Sequence, residues 1–259
     1  MNFINITEFD INQVHVAHRT LASGKTVINV RYGEMHKALS FVTPPAVTFY
    51  PRINGDGNYR EGAQFGPASR DKAQYTLDLT CANIGEHENT AMIDFQDNII
   101  SAVDDAVLTY VHANQTQLLG RRNLNREEVK MLQIRSSRTK IDKMTDMEGP
   151  KSVNLSSKKF YWDQVGNHRE REINVSDRSG NRVDANLLPG DVVAATTHLD
   201  MVYNGVGGDK FGCHWSLGDV AVICQAHKLG QSSHVNAFCS QNYESLPYST
   251  EFSSVNVSA

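Results

Sequence analysis

Cys213, His214, Cys224 and His227 form a C-H-x9-C-x2-H pattern, a group of side chains that could ligate zinc. Zinc sites usually show two close pairs, each with a short spacer, and here the first pair has none. Adjacent residues on a strand point to opposite faces, so Cys213 and His214 cannot both reach one ion without a bulge. The pattern predicts structural cysteines rather than a metal centre. His15 and His18 make an H-x2-H without the glutamate of a zincin helix, which leaves them as surface histidines. "GVGGDKFG" (205–212) lacks the Gly-Lys-Ser/Thr ending of a phosphate loop and opens no helix, so it reads as a hairpin turn. There is no G-x-S-x-G elbow and no cysteine-nucleophile signature. Two acidic pairs, Asp104-Asp105 and Glu127-Glu128, fall on predicted helix surfaces, where no cleft is implied. The expectation is no catalytic residue, no cofactor and no metal.

A second chemistry is stronger. "SKKFYWDQ" (157–164) sets two lysines directly before three aromatic residues. On a strand Phe160 and Trp162 share one face and Tyr161 takes the other, so at least one large ring must face away from the core. Exposed rings beside cations suit unpaired bases, which stack on the rings while basic groups follow the phosphates. The competing reading buries the rings and lays the lysine stems over them. Charge adds to the first reading. Between Leu119 and Phe160 stand eleven Lys or Arg against five Asp or Glu, a local excess of six in a chain of formal net charge −4. Such a chain attracts a polyanion at one place and repels it elsewhere, although a basic run can also be a solvated helix and loop.

These residues need elements to hold them. The strand signals are "TVINVRYG" (26–33), "ALSFVTP" (38–44), "AVTFYPRI" (46–53) and "AQYTLDLTCAN" (73–83), the middle two split by Pro44-Pro45. Residues 54–72 read as loop by their glycine and polar content. The period then changes. Met92, Phe95, Ile99, Val103, Val107 and Tyr110, with Ile100 and Val111 beside them, mark one face of a long helix at about 91–119, stopped at Gly120. Asn125 and Glu128 stand in capping-box spacing for a short second helix. Residues 145–154 read as a flexible connection within a basic helix and loop segment at about 120–157. Strands return at 158–165, 171–178, 191–204 and 211–225. In the last hairpin, Gly218-Asp219 predicts a bulge and Trp215 a core position. Residues 228–259 are Ser- and Asn-rich and predict a loosely ordered tail after a single domain at 1–227.

Strands, one long helix, then strands is not a βαβ order. The expected class is mainly β (β+α), an OB-like partly open β-barrel with one long inserted helix and a short second helix. No apolar run is long enough to span a bilayer, and the N-terminal stretch does not resemble a secretory leader. Four cysteines in 259 residues do not form a disulfide framework, which predicts an intracellular, reducing setting.

In order and spacing the chain resembles the single-stranded DNA-binding proteins of nucleocytoplasmic large DNA viruses, relatives of the T7-type phage proteins. The resemblance runs over about residues 3–226: "GKTVINVRYG", "ALSFVTPPAVTFY", "QYTLDLTC", the helix "FQDNIISAVDDAVLTYV", a basic middle, and the closing hairpin "GDVVAATTHLDMVYNGVGGDKFGCHWSLGDVAVI". It implies sequence-independent binding of single-stranded DNA, in viral replication, recombination or repair, in the host cytoplasm or nucleus. It also implies a groove lined by Arg31, Tyr32, Lys37, Phe49, Tyr50, Arg52, Lys158, Lys159, Tyr161 and Trp162, to which the basic middle adds Arg121 and Arg122. RNA, self-association and replication proteins stay open as partners, and no membrane is expected. Unlike T7-type proteins, which end in an acidic tail, this chain has only Glu244 and Glu251 near its end. The alternative reading is a virion or other self-assembling β-domain that binds no nucleic acid.

Overall fold

The computed structural model describes residues 3–20, 22, 26–63, 66–141, 148–163, 165–183, 186–204 and 210–225. The expected tail at 228–259, His227 and most of the 205–210 turn lie outside the described residues. The strands, in chain order, are β1 Val14–Thr20, β2 Thr26–Tyr32, β3 Ser40–Val42, β4 Ala46–Arg52, β5 Gln74–Thr80, β6 Gln133–Ile134, β7 Ser137–Ile141, β8 Glu148–Lys158, β9 Phe160–Trp162, β10 His168–Glu170, β11 Val175–Ser176, β12 Val192–Asn204 and β13 Phe211–Cys224.

β12 pairs with β13 along one edge and with β4, β3 and β2 in turn along the other. β4 pairs with β5, and β5 with β8, all antiparallel. Followed round, β4, β5, β8, β13 and β12 return to β4, a five-stranded OB-like barrel. One seam is left open. Among the described residues no ladder joins β8 to β13. Side chains bridge it instead: Ser157 Oγ donates to Leu217 O at 2.6 Å, and Ser156 Oγ lies 3.0 Å from His214 Nε2. Beyond the barrel β1 and β2 extend the sheet past β12, and β7 extends it past β8.

Alternation fills the interior. Leu77, Leu79, Val153, Leu155, Val193, Leu199, Trp215 and Leu217 are all buried. Trp215 is core, as its place before an apolar run predicts. The Gly218-Asp219 bulge is also present: Ala195 faces Val220 and Thr197 faces Leu217, so two residues of β13 oppose Thr196 alone. Asp219 N–H donates to Thr196 Oγ1 at 2.8 Å. A Cβ on residue 218 would overlap that same hydroxyl.

The long helix covers one part of the barrel, its Phe95 ring edge-on to Phe41 at 5.9 Å. It is α-helical over Thr90–Asp94, π-helical over Phe95–Ser101 and α-helical again over Ala102–Ala113. The buried positions explain the π stretch. Met92, Gln96, Ile100, Asp104 and Leu108 step by four, as do Phe95, Ile99, Val103, Val107 and Val111. A four-residue step overshoots an α-helical turn by about 40°, so a regular helix would rotate these rows away from the barrel; the wider i→i+5 turns absorb the drift. Burying eight apolar side chains at roughly 1.5–3 kcal/mol each holds the segment down. Gly120, at φ 64°, ends the following turn Gln115–Leu119. The capping box at Asn125 and Glu128 forms and starts the short helix Arg126–Met131.

Three expectations are corrected. Asp104 is not on the helix surface but fully buried, because the four-residue rows place it under the sheet. Its carboxylate accepts Ser136 N–H at 2.7 Å and Ser136 Oγ–H at 2.8 Å, and the Cys213 thiol also donates to it. Trp215 Nε1 joins the network on Ser136 Oγ at 3.2 Å. Burial pushes the Asp104 carboxyl up, and the Ser136 donors pull it back. Second, 148–154 is not a flexible connection but the first part of β8. Gly149-Pro150 reads as a break, yet it lies where β8 passes beyond β5 and pairs only with β7, while Val153 and Leu155 alternate into the core. Third, the expected basic helix and loop at 120–157 also holds the strands Gln133–Ile134 and Ser137–Ile141, and only Val175–Ser176 of 171–178 is a strand; Val14–Thr20 is a strand for which the sequence raised no expectation.

Two substitutions test this account in urea. Gly218→Ala is expected to lower stability by about 1–3 kcal/mol through overpacking on Thr196. Asp104→Ala is expected to cost on the order of 3 kcal/mol by leaving buried donors unpaired. A change within about 0.5 kcal/mol for either, the range of neutral surface substitutions, contradicts the assigned packing.

Candidate nucleic-acid interface

At Lys158 the chain leaves the barrel and turns back on itself. β9 and β10 form a separate two-stranded sheet, with Trp162 opposite His168, Tyr161 opposite Arg169 and Phe160 opposite Glu170. The turn explains why this short ribbon forms. Asp163 Oδ1 accepts Val165 N–H at 3.0 Å and Asn167 N–H at 2.8 Å, and its Oδ2 accepts Arg169 Nε–H at 3.0 Å. Those donors, Asn167 first, hold the Asp163 carboxyl below its ordinary range. Gly166, at φ 85°, supplies the left-handed residue the turn requires.

Two chemically different faces result. On one, Phe160 stacks on His168 at 5.2 Å and Trp162 leans on the same imidazole at 5.0 Å. On the other, the Arg171 guanidinium lies 5.4 Å from the centre of the Tyr161 ring, with Arg169 beside it in register. Trp162 is 71% exposed and Tyr161 39%, so both rings are open to a ligand.

The root of the ribbon is locked. Lys159 is 1% exposed. Its Nζ donates to Gly55 O at 2.6 Å, Asp56 Oδ1 at 3.2 Å and Glu170 Oε1 at 3.1 Å. Burial opposes its charge, but Glu170 and Asp56 outweigh burial and raise its pKa. Asp56 belongs to the 53–73 loop between β4 and β5. Lys159 and then Arg70, bonded at 2.7 Å, lower its pKa. A cavity of about 790 Å³ lies under this root, lined by Tyr75, Ile173, Val183 and the same ion pairs.

The barrel's outer surface adjoins the ribbon. Phe49 and Arg52 on β4, Thr76 and Asp78 on β5, and Asn154, Ser156 and Lys158 on β8 alternate with the core residues. His214 continues this surface across the seam, its Nδ1 3.6 Å from Asp200 Oδ2, too long for a hydrogen bond. Burial above all lowers the pKa of both His214 and His198. Lys158 adds to the first shift and Arg171 to the second.

The structure brings together Lys158, Tyr161 and Trp162, and sets Phe49 and Arg52 on the same outer sheet. It separates the others. Arg31, Tyr32 and Lys37 lie on or beside β2. The Tyr32 ring stacks on Phe9 at 5.4 Å and its hydroxyl accepts Asp10 N–H at 3.0 Å, a structural role. Arg121 and Arg122 are exposed on the connection between the two helices. The Tyr50 side chain lies outside the described residues. Lys159 is a correction: with three acceptors around its ammonium it faces the interior, not a ligand. Sequence reading missed His168, Arg169 and Arg171. "FYWDQVGNHRER" held the signal, an aromatic run and a charged run around an Asp- and Gly-bearing turn.

Cys213 and His214 do point to opposite faces, one toward Asp104 and the other toward Asp200. Among the described residues no group of three or more His, Cys, Asp or Glu could hold a metal ion, and no helix is long and apolar enough to cross a membrane.

Fold and site together define a mainly β, OB-like barrel carrying an aromatic and basic arm. No protein-family model matches the chain, and no curated protein sequence does. Among solved structures it resembles gp2.5, a single-stranded DNA-binding protein of bacteriophage T7, at TM-score 0.44 and 11% identity, over 73% of this chain and 88% of that one. It also resembles a single-stranded DNA-binding protein of bacteriophage Enc34 in complex with single-stranded DNA, at TM-score 0.40 and 9% identity, over 72% and 86%. A further structure of the single-stranded DNA-binding protein from bacteriophage Enc34 matches at TM-score 0.39 and 9% identity, over 86% of this chain and 99% of that one. Likenesses this distant carry no argument about what the chain binds.

Asp56 and Asp163 tie the arm down, and both have lowered pKa values. Their contribution is therefore present above the ordinary carboxylate value of about 3.9 and lost as pH falls through the lowered values. The amide signals of Val165 and Gly166 are expected to stay fixed from neutral pH down to about pH 5 and to shift below about pH 4. A shift centred near neutrality contradicts the carboxylate assignment.

Proposed function

We propose that this protein binds single-stranded DNA without sequence preference, as a non-enzymatic binding protein. The observation that carries the reading is the β9–β10 arm, with two open rings on opposite faces and Lys158, Arg169 and Arg171 among them. Every base has a π-face, so stacking on Trp162 and Tyr161 is tolerant of sequence, and the cations follow the backbone. The family reading belongs to the proposal, and with it a role in viral DNA replication, recombination or repair. Its support is that the segments named for it lie in β2, β3 and β4, β5, the long helix and the β12–β13 hairpin.

Anisotropy titrations with single-stranded DNA, single-stranded RNA and duplex, each at two salt concentrations, test it. Trp162→Ala and Tyr161→Ala are each expected to weaken single-strand binding by about 1–3 kcal/mol at every salt concentration. Lys158→Ala is expected to reduce the slope of log affinity against log salt by about 0.7, one phosphate contact on a single strand. Equal affinity for duplex, or an isotherm that none of the three variants alters, sinks the reading.

A further inference from the structure

The arm carries the open rings, yet it is a two-stranded ribbon outside the barrel's ladders, and such a ribbon is at best marginally stable alone. Something must hold it. An ammonium has three N–H donors, and all three of Lys159 have acceptors: a carbonyl and a carboxylate from the 53–73 loop, and a carboxylate from β10. The backbone supports the same joint. Lys159 N–H donates to Ala73 O at 3.0 Å, and Arg171 N–H donates to Lys159 O at 2.6 Å. No donor on Nζ is left for a phosphate.

The placement of the acids agrees with this joint, Asp56 bridging Arg70 and Lys159 and Glu170 reaching Lys159 from β10. Asp56 and Glu170 are half-exposed anions beside the surface proposed for a polyanion, where each would repel phosphate. Both bind the buried ammonium. We propose that Lys159 is a positioning residue, a buried strut that fixes the β9–β10 arm against the 53–73 loop so that its rings stand ready before a strand arrives. This rests on the single-strand-binding reading above. A preorganised arm avoids the ordering cost that a loose one meets on binding.

Three variants decide it, each read in two ways: amide hydrogen exchange of the DNA-free protein, and oligonucleotide binding across salt. Lys159→Met keeps the length of the stem and removes the charge. Glu170→Ala removes one acceptor and leaves the lysine in place, so it remains informative where Lys159→Met fails to fold. Lys158→Ala is the comparison for a direct phosphate contact. The expected result is faster exchange between Tyr161 and Arg169 in both strut variants, with unchanged exchange in β5 and β12. Affinity is expected to fall roughly five- to ten-fold in both, as for a binding surface that must be ordered anew. The salt slope is expected to stay at the wild-type value in Lys159→Met and to drop only in Lys158→Ala.

Glu170→Ala has a sign that separates the accounts. Removing an anion strengthens polyanion binding on charge grounds alone, whereas losing the strut weakens it. Tighter binding with unaltered exchange overturns the proposal, and so does a Lys159→Met slope reduced by about 0.7, which marks Lys159 as a phosphate contact. A wild-type protein that ignores oligonucleotides ends the functional reading, and the exchange data still decide whether Lys159 holds the arm.

Discussion

β12 is thirteen residues long and is paired on both edges, along its length by β13 and in stretches by β4, β3 and β2, and one strand so loaded leaves little freedom to the rest. Backbone groups in a sheet interior must be paired, so whatever lies beside β12 is drawn into the same sheet. On one edge that is β13. On the other, β4 takes the first residues, β3 the middle and β2 the far end, so the barrel and the outer β1–β2 hairpin share a strand. The bulge at Gly218-Asp219 bends β13 where the sheet must curl. With those positions occupied, β8 packs on β13 with no ladder between them among the described residues, and Ser156 and Ser157 bridge the two by side-chain hydrogen bonds. The end of β8 is then free to leave the barrel as an arm.

The long helix answers a packing demand that its own geometry does not meet. Rows of buried residues repeat every four positions, and the π segment brings Gln96 and Asp104 into register along with the apolar side chains. Both polar groups are satisfied there: Gln96 accepts Ser137 Oγ–H at 2.7 Å and donates to Leu79 O at 3.3 Å, while Asp104 binds Ser136. Satisfied networks of this kind specify one seating of a helix, because any other leaves a buried group unpaired. Through Ser136 the network reaches Trp215, which ties the helix to the same β13 that closes the barrel.

Much of the basic excess that stands out in the sequence has local partners. Arg135 pairs with Asp105 at 3.1 Å, Lys151 with Asp97 at 3.0 Å and Lys130 with Glu127 at 3.5 Å. Exposed pairs are worth only about 0–1 kcal/mol, so they do little for stability, but they blunt the field of the segment. Position therefore matters more than charge count. Lys158 ends β8 at the root of the arm and Arg171 lies over the Tyr161 ring, whereas Arg121 and Arg122 stand on another connection.

Local pattern was enough for much of this protein. Alternation placed β2, β4, β5, β12 and β13, three- and four-residue steps placed the long helix, and the Asn125 capping box and the Gly218-Asp219 bulge were legible from residue types. Each is a property of neighbours in the chain, and a few contiguous side chains carry it. β8 was not legible, because Gly-Pro reads as a break unless the strand beside it is known. The burial of Asp104 was not, because it depends on a π turn that the packing surface imposes. Lys158 and Lys159 show the limit most plainly: one type, adjacent, on one strand run. Alternation requires that they face opposite ways, but only the folded chain decides which one meets solvent, because the loop that brings Asp56 to Lys159 is more than a hundred residues away in sequence.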